Sequence, residues 1–277
     1  MNEITNAMTV DVEDYYQVSA FEDHIDRKNW DNMDSRIERN IELILSKFSE
    51  HNVTATFFVL GWIAERYPQM IGKIVESGHE IASHGYSHTR VTQQNQEQFR
   101  EDIVKTKKLL EEISGTSIQG YRAASYSIIS SNCQWAHKEL EMAGHKYSSS
   151  IYPIKHDLYG IPDASRYPFK PNDGKLLEIP ISTFQCLGKR IPCGGGGFFR
   201  LFPYLVSKSM IRHVNKVEKQ PCVFYFHPWE LDANQPVIKG LNIKTRFRHY
   251  LNLNRMEIRL EQLLKDFKWS RMDAVYL

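Results

Sequence analysis

Cysteine and long apolar runs are both scarce in this sequence. Only four of its 277 residues are cysteine, and no two of them form a C-x-x-C pair. A chain of this length buries enough surface for a core and does not need disulfide bridges, so the cysteines are predicted to be reduced. The longest apolar run, residues 55–64, is interrupted by Thr56 and Gly61. It is far shorter than the roughly 18 residues of a membrane-spanning helix, so no transmembrane helix is predicted.

An excess of one charge is also lacking. Lys and Arg number 35 against 33 Asp and Glu, and the formal net charge of +2 is too small for the basic surface of a general nucleic-acid binder. The sequence is 42% hydrophobic and 25% charged, which is typical of a globular domain and excludes a disordered chain. The first residues have neither the basic start nor the apolar core of a secretory signal, so the expected location is the cytoplasm.

Short β-rich runs alternate with helix-period runs along the whole chain. The predicted strands are Ala7–Val12, Val53–Leu60, Glu80–Ser83, Gly120–Ala124, Leu176–Ile181 and Cys222–His227. The predicted helices are residues 35–48, Trp62–Ser77, Asn95–Ile113, Cys133–Ala143, Pro203–Val217 and Arg255–Phe267. Repeated β-then-α units indicate an α/β protein with a closed parallel barrel. We expect one domain over residues 1–277, with a basic C-terminal extension at about residues 236–277 packed on it.

Two local signals refine this pattern. Ser35-x-x-Glu38 has the spacing of a capping box, which predicts where the first helix begins. Long irregular stretches at Ser148–Lys175 and Gln185–Phe199 interrupt the alternation. Loops of that length are uncommon in a compact domain unless they serve a function.

Polar residues cluster where the predicted strands end. These residues are Asp11, Glu13 and Asp14 after the first strand, His84 and His88 after the third, Arg122 at the fourth and His227 at the last. In a parallel barrel the carboxyl ends of the strands meet at one face, where the active sites of such barrels lie. These side chains are therefore expected to converge.

His84 and His88 are four residues apart, a spacing that places two imidazoles on one side of a helical turn and allows them to share a metal ion. A histidine pair alone is also common on protein surfaces and is weak evidence for a metal site. A carboxylate of the first strand, expected at the same face of the barrel, would complete the ligand set. Side chains alternate along a strand, so Glu13 faces the same way as Asp11 and is favoured, whereas a turn at the strand end would bring Asp14 inward. Such a set suits Zn²⁺, with Co²⁺ or Ni²⁺ as substitutes.

Four motifs occur in an order that resembles a known family. They are Thr9-Val10-Asp11-x-Glu13-Asp14, Ser83-His84-x-x-x-His88, Gly120-Tyr121-Arg122-Ala123 and Tyr225-Phe226-His227. In this order they resemble the motifs of the polysaccharide deacetylases of carbohydrate esterase family 4, over roughly Thr9 to Glu230. Further stretches, within residues 154–163, 195–200 and 227–230, are similar to a subgroup associated with exopolysaccharide biosynthesis loci.

The resemblance implies a fold and a set of roles. The family fold is a distorted parallel (β/α)7 barrel, and the family reaction removes acetyl groups from amino sugars. By resemblance, Asp11 is the catalytic base, Arg122 orients that base, and His227 is the acid. His84 and His88 hold the metal together with a first-strand carboxylate. The family commonly has two adjacent aspartates, whereas a valine follows the base here, so the resemblance leaves the third ligand open between the two carboxylates.

Five further residues are predicted to contact the substrate. Tyr126 and Trp229 are candidates for stacking on sugar rings, His156 and Asp157 for binding sugar hydroxyls, and Arg200 for binding a substrate anion. Each also has an ordinary structural interpretation, as a core or rim aromatic, a loop-stabilising group or a member of an ion pair. The expected partner of the site is an acetylated amino-sugar oligosaccharide or polysaccharide.

The function predicted from the sequence is that of a metal-dependent hydrolase. It would remove N-acetyl groups from an amino sugar of a polysaccharide or lipid-linked oligosaccharide during exopolysaccharide synthesis. Two alternatives stay open: a hydrolase of the same barrel type that opens a cyclic amide such as a ureide, and a catalytically inactive carbohydrate-binding barrel. The presence of base, ligands and acid together favours an enzyme.

One basic stretch is not explained by the barrel. Lys239–Arg259 contains six cationic residues against Glu257 alone, a net charge of +5, with aromatic and aliphatic residues between them. A solvated helix face accounts for such a pattern, and contact with an anionic membrane or a phosphate-bearing lipid carrier is the alternative. The second interpretation predicts a peripheral position at the inner membrane face.

Overall fold

A computed structural model describes residues 3–156 and 159–277 of the chain. The strands are β1 (Thr5–Val12), β2 (Thr56–Val59), β3 (Glu80–Ser83), β4 (Gly120–Tyr121), β5 (Tyr147–Ser148), β6 (Leu177–Glu178), β7 (Thr183–Cys186), β8 (Lys189–Pro192), β9 (Val223–Phe226) and β10 (Lys268–Ser270). The α-helices are α1 (Ile37–Glu50), α2 (Gly61–Arg66), α3 (Pro68–Glu76), α4 (Gln96–Ser114), α5 (Cys133–Met142), α6 (Gly196–Leu201), α7 (Tyr204–Lys216), α8 (Ile243–Tyr250), α9 (Leu253–Asp266) and α10 (Met272–Tyr276). Short 3₁₀ helices lie between them, two of which, Ala124–Tyr126 and Pro228–Leu231, follow strands of the barrel.

The strands of the main sheet all pair in parallel. Their order is β10-β1-β2-β3-β4-β5-β6, and β9 also pairs with β1. The β7–β8 pair forms a separate antiparallel hairpin. The sheet curls around an interior filled by side chains, so the predicted single-domain α/β fold with a distorted parallel barrel is confirmed. Parallel pairing brings the carboxyl ends of these strands to one end of the barrel.

Successive side chains of strand β1 point alternately to the two faces of the sheet. Val10 and Val12 pack in the large core cluster that also contains the buried side chains of α1, between the sheet and the helices. Ala7 belongs to a second cluster, inside the curl of the sheet. Because successive side chains point to opposite faces, Thr9 and Asp11 share the side of Ala7. A strand that is apolar toward the helices therefore presents polar groups to the barrel interior.

Proline divides one predicted helix into two. The predicted helix Trp62–Ser77 is α2 followed by α3, with Pro68 at the first position of α3. Proline lacks the N–H that a continuous helix would use, and its ring fits best at a helix start. The predicted single helix is wrong in this respect.

The start of α1 also differs from its prediction. The capping box expected at Ser35 and Glu38 does not form, since neither side chain caps the first turn. Instead, the carboxylate of Asp14 accepts a hydrogen bond from the N–H of Arg36 at 2.7 Å and one from the hydroxyl of Ser35 at 3.0 Å. A negative charge at a helix N-terminus is favourable, and here it comes from the end of β1.

The barrel is closed between β6 and β9 by backbone outside the regular strands. The hydroxyl of Ser182 accepts a hydrogen bond from the N–H of Val223, and the carbonyl of Gly194 accepts one from the N–H of Tyr225, both at 2.8 Å. A Cβ added at Gly195 would lie 2.0 Å from the carbonyl oxygen of Tyr225. The stretch predicted to be irregular thus contains β8 and a glycine segment that lies directly against β9.

The C-terminal part of the chain completes the sheet. Strand β10 pairs in parallel with residues 5–7 of β1, and α9 contributes several fully buried side chains to the large core cluster. This strand was not predicted, because three residues are too few for an alternating pattern to be recognised. Among the described residues, none of the helices combines the length and apolar character needed to cross a bilayer.

Gly195→Ala is expected to destabilise the protein more than Gly188→Ala. Both glycines have a positive φ, +112° and +75°, at which a Cβ is strained by about 1–2 kcal/mol. A Cβ at position 195 also meets the carbonyl of Tyr225, whereas nothing lies within 4 Å of one at position 188. Urea denaturation should show an additional loss of about 1–3 kcal/mol for Gly195→Ala. Equal destabilisation of the two variants would contradict the closing role of Gly195.

Candidate active site

The ends of four strands bring polar side chains together at one end of the barrel. β1 supplies Asp11 and Glu13, β3 leads to His84, β4 leads to Arg122, and β9 leads to His227. All are buried except His227, whose side chain is 17% exposed. Solvent therefore reaches this cluster mainly at the His227 imidazole.

Glu13, His84 and His88 form the tightest group in this cluster. Each places one ligand atom within 4.8 Å of the others, and Oε2 of Glu13 lies 3.5 Å from Nε2 of His88. The spacing of the two histidines predicted a helical turn, and this prediction is wrong. Both are in the loop after β3, where Gly85 and His88 have positive φ angles of +74° and +54°. Left-handed backbone, not helix pitch, brings the two imidazoles together.

The three groups are suited to holding a divalent metal. The Nδ1–H of His84 donates to the carbonyl of Arg122 at 2.8 Å, which fixes the orientation of the ring. Burial lowers the pKa of His88 to about 4, so its imidazole is neutral near pH 7. Burial alone would raise the pKa of Glu13, but the neighbouring His88 and His227 hold it at about 2.

Two buried atoms of the same cluster have no hydrogen-bond partner within the described part of the chain. They are Oε2 of Glu13 and Nδ1 of His88. An unpaired carboxylate oxygen is costly to bury, and a bound cation would satisfy it. The donor set, two imidazoles and one carboxylate, fits the zinc ion that the sequence predicted.

Asp14 does not join this cluster. Its carboxylate also accepts a hydrogen bond from the N–H of Tyr15 at 2.8 Å, in addition to its contacts at the start of α1. Burial raises the pKa of Asp14 to about 6. Of the two carboxylates that the sequence left open as ligands, the structure places Glu13 beside the histidines and Asp14 at the helix cap.

A buried ion pair holds Asp11 in place. Nη1 of Arg122 donates to Oδ1 of Asp11 at 2.6 Å and to the hydroxyl of Thr9 at 2.8 Å. Nε and Nη2 of the same guanidinium donate to the carbonyl and hydroxyl of Ser149, both at 3.1 Å. The guanidinium also lies 4.0 Å from the ring centroid of Phe58. Asp11 is thereby fixed with Oδ2 facing the centre of the cluster.

His227 lies among three carboxylates. Its Nε2 is 3.1 Å from Oε1 of Glu13 and 3.9 Å from Oδ2 of Asp11, and its Nδ1–H donates to Oε1 of Glu230 at 2.8 Å. The other oxygen of Glu230 accepts from Nε of Arg200 at 2.6 Å. Burial alone would lower the pKa of His227, but Glu13 and Glu230 raise it to about 10. The imidazole is therefore held in one orientation with a proton on Nε2.

Arg200 and Trp229 lie behind His227. The guanidinium of Arg200 is buried and, besides Glu230, donates to the carbonyls of Arg248, His249 and Leu251. The indole of Trp229 is 5% exposed and stacks on His227 and His249, with ring centroids 5.1 and 4.1 Å apart. The structure thus gives both residues packing positions that support the imidazole, and their contacts with substrate stay predictions.

Two further predicted substrate residues, Tyr126 and His156, lie along a row of aromatic rings. The hydroxyl of Tyr126 is 3.4 Å from Oδ2 of Asp11. Tyr159 packs 6.0 Å from Tyr126, and His156 stacks on Tyr159 at 3.9 Å. Asp157 lies outside the described residues. Tyr126 therefore belongs to the cluster itself, and His156 is two rings away from it.

The sequence analysis assigned no role to three residues that position the site. Glu230 follows His227 by three residues, a spacing at which side chains meet on a helical turn, so this partner was recognisable. Thr9 shares the face of Asp11 by alternation and was recognisable in the same way. Ser149 had no sequence signal, since its role depends on the pairing of β4 with β5.

Comparison with known proteins divides the chain into two matched parts. Residues 28–145 match the model of the polysaccharide deacetylase family. Residues 149–277 match the model of a domain of unknown function, DUF3473. Asp11 and His227 lie outside residues 28–145. The candidate site therefore combines residues inside the deacetylase match with residues outside it.

Two curated relatives share shorter stretches. A peptidoglycan-N-acetylglucosamine deacetylase of Bacillus cereus is 37% identical over 93 residues, 34% of this chain and 34% of that protein. A chitooligosaccharide deacetylase of Sinorhizobium fredii is 47% identical over 45 residues, 16% of this chain and 21% of that protein. These matches support the polysaccharide deacetylase family. The chain spans about a third or less of the length of these two relatives.

Two solved structures share the fold over nearly the whole chain. A crystal structure assigned to the polysaccharide deacetylases, from Mycobacterium smegmatis, has a TM-score of 0.60 at 19% identity and covers 99% of this chain and 90% of that one. An allantoinase has a TM-score of 0.59 at 15% identity and covers 98% and 88%. At these identities the likeness shows the fold alone.

His84→Ala and Glu13→Gln are each expected to remove bound metal, because each deletes one of three ligands. The measurement is metal content per chain by plasma mass spectrometry after dialysis. Asp14→Ala is the matched control: it should keep the metal and lose about 1 kcal/mol of stability, as expected for a missing helix cap. Metal loss in Asp14→Ala with full retention in Glu13→Gln would reverse the assignment.

Proposed function

We propose that this protein is a metal-dependent deacetylase that hydrolyses N-acetyl groups on an amino sugar of an oligosaccharide or polysaccharide. The observation that carries the proposal is the convergence of a base, a ligand set and an acid within one buried cluster. Nε2 of His227 lies within 3.9 Å of carboxylate oxygens of both Asp11 and Glu13. The names of the deacetylase relatives support the same reaction class.

Glu13, His84 and His88 would hold the metal. When bound, a zinc ion would supply Lewis-acid polarisation of the acetyl carbonyl and a water of lowered pKa. The amide is otherwise a poor electrophile, so the site needs this assistance. Zn²⁺ follows from the donor types, and Co²⁺ or Ni²⁺ fits the same donors.

Asp11 acts as the base. Its Oδ1 is occupied by Arg122, so Oδ2 is the oxygen that accepts a proton from the attacking water. Arg122 and Thr9 fix the plane of the Asp11 carboxylate. The hydroxyl of Tyr126 lies 3.4 Å from Oδ2 of Asp11. General-base assistance from a fixed carboxylate contributes about 10²–10⁴-fold to a rate.

His227 acts as the acid. Its Nδ1–H is held by Glu230, so Nε2 is the atom that donates a proton to the departing amine. His227 is also the member of the cluster that solvent reaches, so the sugar would approach along its imidazole. The products are acetate and a free amino sugar.

The resemblance of the sequence motifs supports an exopolysaccharide precursor as the substrate. The decisive test is acetate release from N-acetylated chito-oligosaccharides, with allantoin as the competing substrate. Hydrolysis of allantoin without acetate release would replace the proposal with ureide hydrolysis, and bound sugar without either product would indicate an inactive binding barrel.

Asp11→Asn is expected to retain the metal and lose activity by about 10²-fold or more, because the base is removed while the ligands stay. Metal content and kcat are measured on the same preparation. Circular dichroism must accompany them, since Arg122 loses its partner and breaking a buried pair costs about 3–5 kcal/mol. A folded Asp11→Asn variant with full activity would exclude Asp11 as the base.

Glu230→Gln is expected to lower kcat by about 10-fold or more and leave KM nearly unchanged. The amide still accepts a hydrogen bond from Nδ1 of His227, but the charge that stabilises the imidazolium is lost. Metal content should not change, because Glu230 is not a ligand. An effect on KM alone would show that Glu230 serves substrate binding and not the acid.

A further inference from the structure

The segment around α8 carries a surface that the proposed chemistry does not use. Residues 233–256 contain five cations and no carboxylate. The same segment exposes three large hydrophobic side chains, with exposed fractions of 88% for Ile243, 56% for Phe247 and 55% for Val237. The α8 surface is defined by these three residues and the cations Lys239, Lys244, Arg246, Arg248 and Arg255.

The apolar side chains of α8 face away from the protein. Ile243 and Phe247 are four residues apart on the helix and therefore lie on one face. His249 is the buried residue of this helix. A surface helix of a soluble domain usually turns its apolar stripe to the core, and α8 does the reverse.

Three cations of the α8 surface have no carboxylate partner in the described part of the chain. Lys239, Arg246 and Arg255 are exposed, and none of the ion pairs found among residues 3–156 and 159–277 includes them. Lys73 and Lys47, by contrast, pair with Glu42 at 2.7 Å and with Glu257 at 2.9 Å. In the sequence, the three unpaired cations flank Ile243 and Phe247.

A cavity of about 310 Å³ opens on the same surface. Its lining combines one cation and one amide with apolar and aromatic groups: Ala233, Val237, Arg246, Tyr250, Leu253 and Asn254. A guanidinium beside an apolar recess matches the junction between a phosphate headgroup and the start of an acyl chain. The charge and the exposed apolar groups therefore call for one amphiphilic, anionic occupant.

We propose that the α8 surface docks on an anionic lipid bilayer. Ile243 and Phe247 enter the interface between headgroups and acyl chains, and the surrounding cations contact the headgroup phosphates. An amphipathic helix with a basic polar face binds membranes by the sum of these two contributions. Neither contribution is large enough alone, so binding is reversible and sensitive to salt.

Docking in this way places the candidate active site next to the membrane. His249 of α8 stacks on Trp229, and Trp229 stacks on His227, the residue through which solvent reaches the cluster. Two ring contacts therefore separate the membrane-binding helix from the proposed acid. A sugar attached to a lipid would be presented within reach of this imidazole.

The test is co-sedimentation of the full, metal-loaded chain with vesicles of phosphatidylglycerol at low salt, with phosphatidylcholine vesicles as the neutral control. Binding is expected to the first and not to the second, and to fall as salt is raised. The triple variant Lys239→Gln, Arg246→Gln, Arg255→Gln should bind about 10²-fold more weakly, at roughly fivefold for each cation. The matched triple variant Lys108→Gln, Lys170→Gln, Lys175→Gln removes the same charge from exposed positions elsewhere and should bind normally.

A second pair of substitutions tests insertion separately from charge. Ile243→Ser with Phe247→Ser leaves every cation in place and should still weaken binding to phosphatidylglycerol. Equal binding to both vesicle types, absence of binding, equal weakening by the two triple variants, or no effect of the serine pair would each overturn the proposal. Because binding is measured without substrate, these outcomes are independent of whether the protein is a deacetylase.

Discussion

The buried pair of Arg122 and Asp11 is the constraint on which the end of the barrel that holds the candidate site depends. The guanidinium has no exposed surface, and a buried charge left without a partner costs several kcal/mol. One side chain therefore has to find acceptors on strand ends far apart in sequence, and it binds Asp11 and Thr9 on β1 and Ser149 after β5. The backbone carbonyl of Arg122 also accepts a hydrogen bond from the Nδ1–H of His84. The proposed base and the proposed metal cluster are thus aligned by the same residue and cannot shift independently.

The regular part of the fold was predictable because it depends on local patterns. β3 has the predicted bounds, and α4 begins within one residue of its predicted start, since Asn95 and Gln98 form a capping box there. Two of the errors concern long-range contacts. The cap of α1 comes from Asp14 on β1, and the closing segment at Gly194 is ordered by its contact with β9. Neither partner is near in sequence, so no local pattern indicates the contact.

The candidate site shows the same division between local and distant information. Strand alternation favoured Glu13 over Asp14 as the residue facing the histidines, and the structure places Glu13 there. Chemistry at the strand ends was recognisable because parallel strands share one end. The residues that support His227 were not recognisable in the same way. Arg200 and Trp229 were predicted to contact substrate, and in the structure they lie behind His227. Their position depends on α8 and the chain after it, which no motif joins to the barrel.

The place of β1 in the sheet has a consequence for synthesis of the protein. This strand pairs with β9 and β10, more than 200 residues later in the chain. During translation an almost wholly buried strand is therefore made first and completed last, and its open edges can pair with other chains in the meantime. Shortening the chain before β10 would not trim a peripheral tail but would uncover the edge of the first strand.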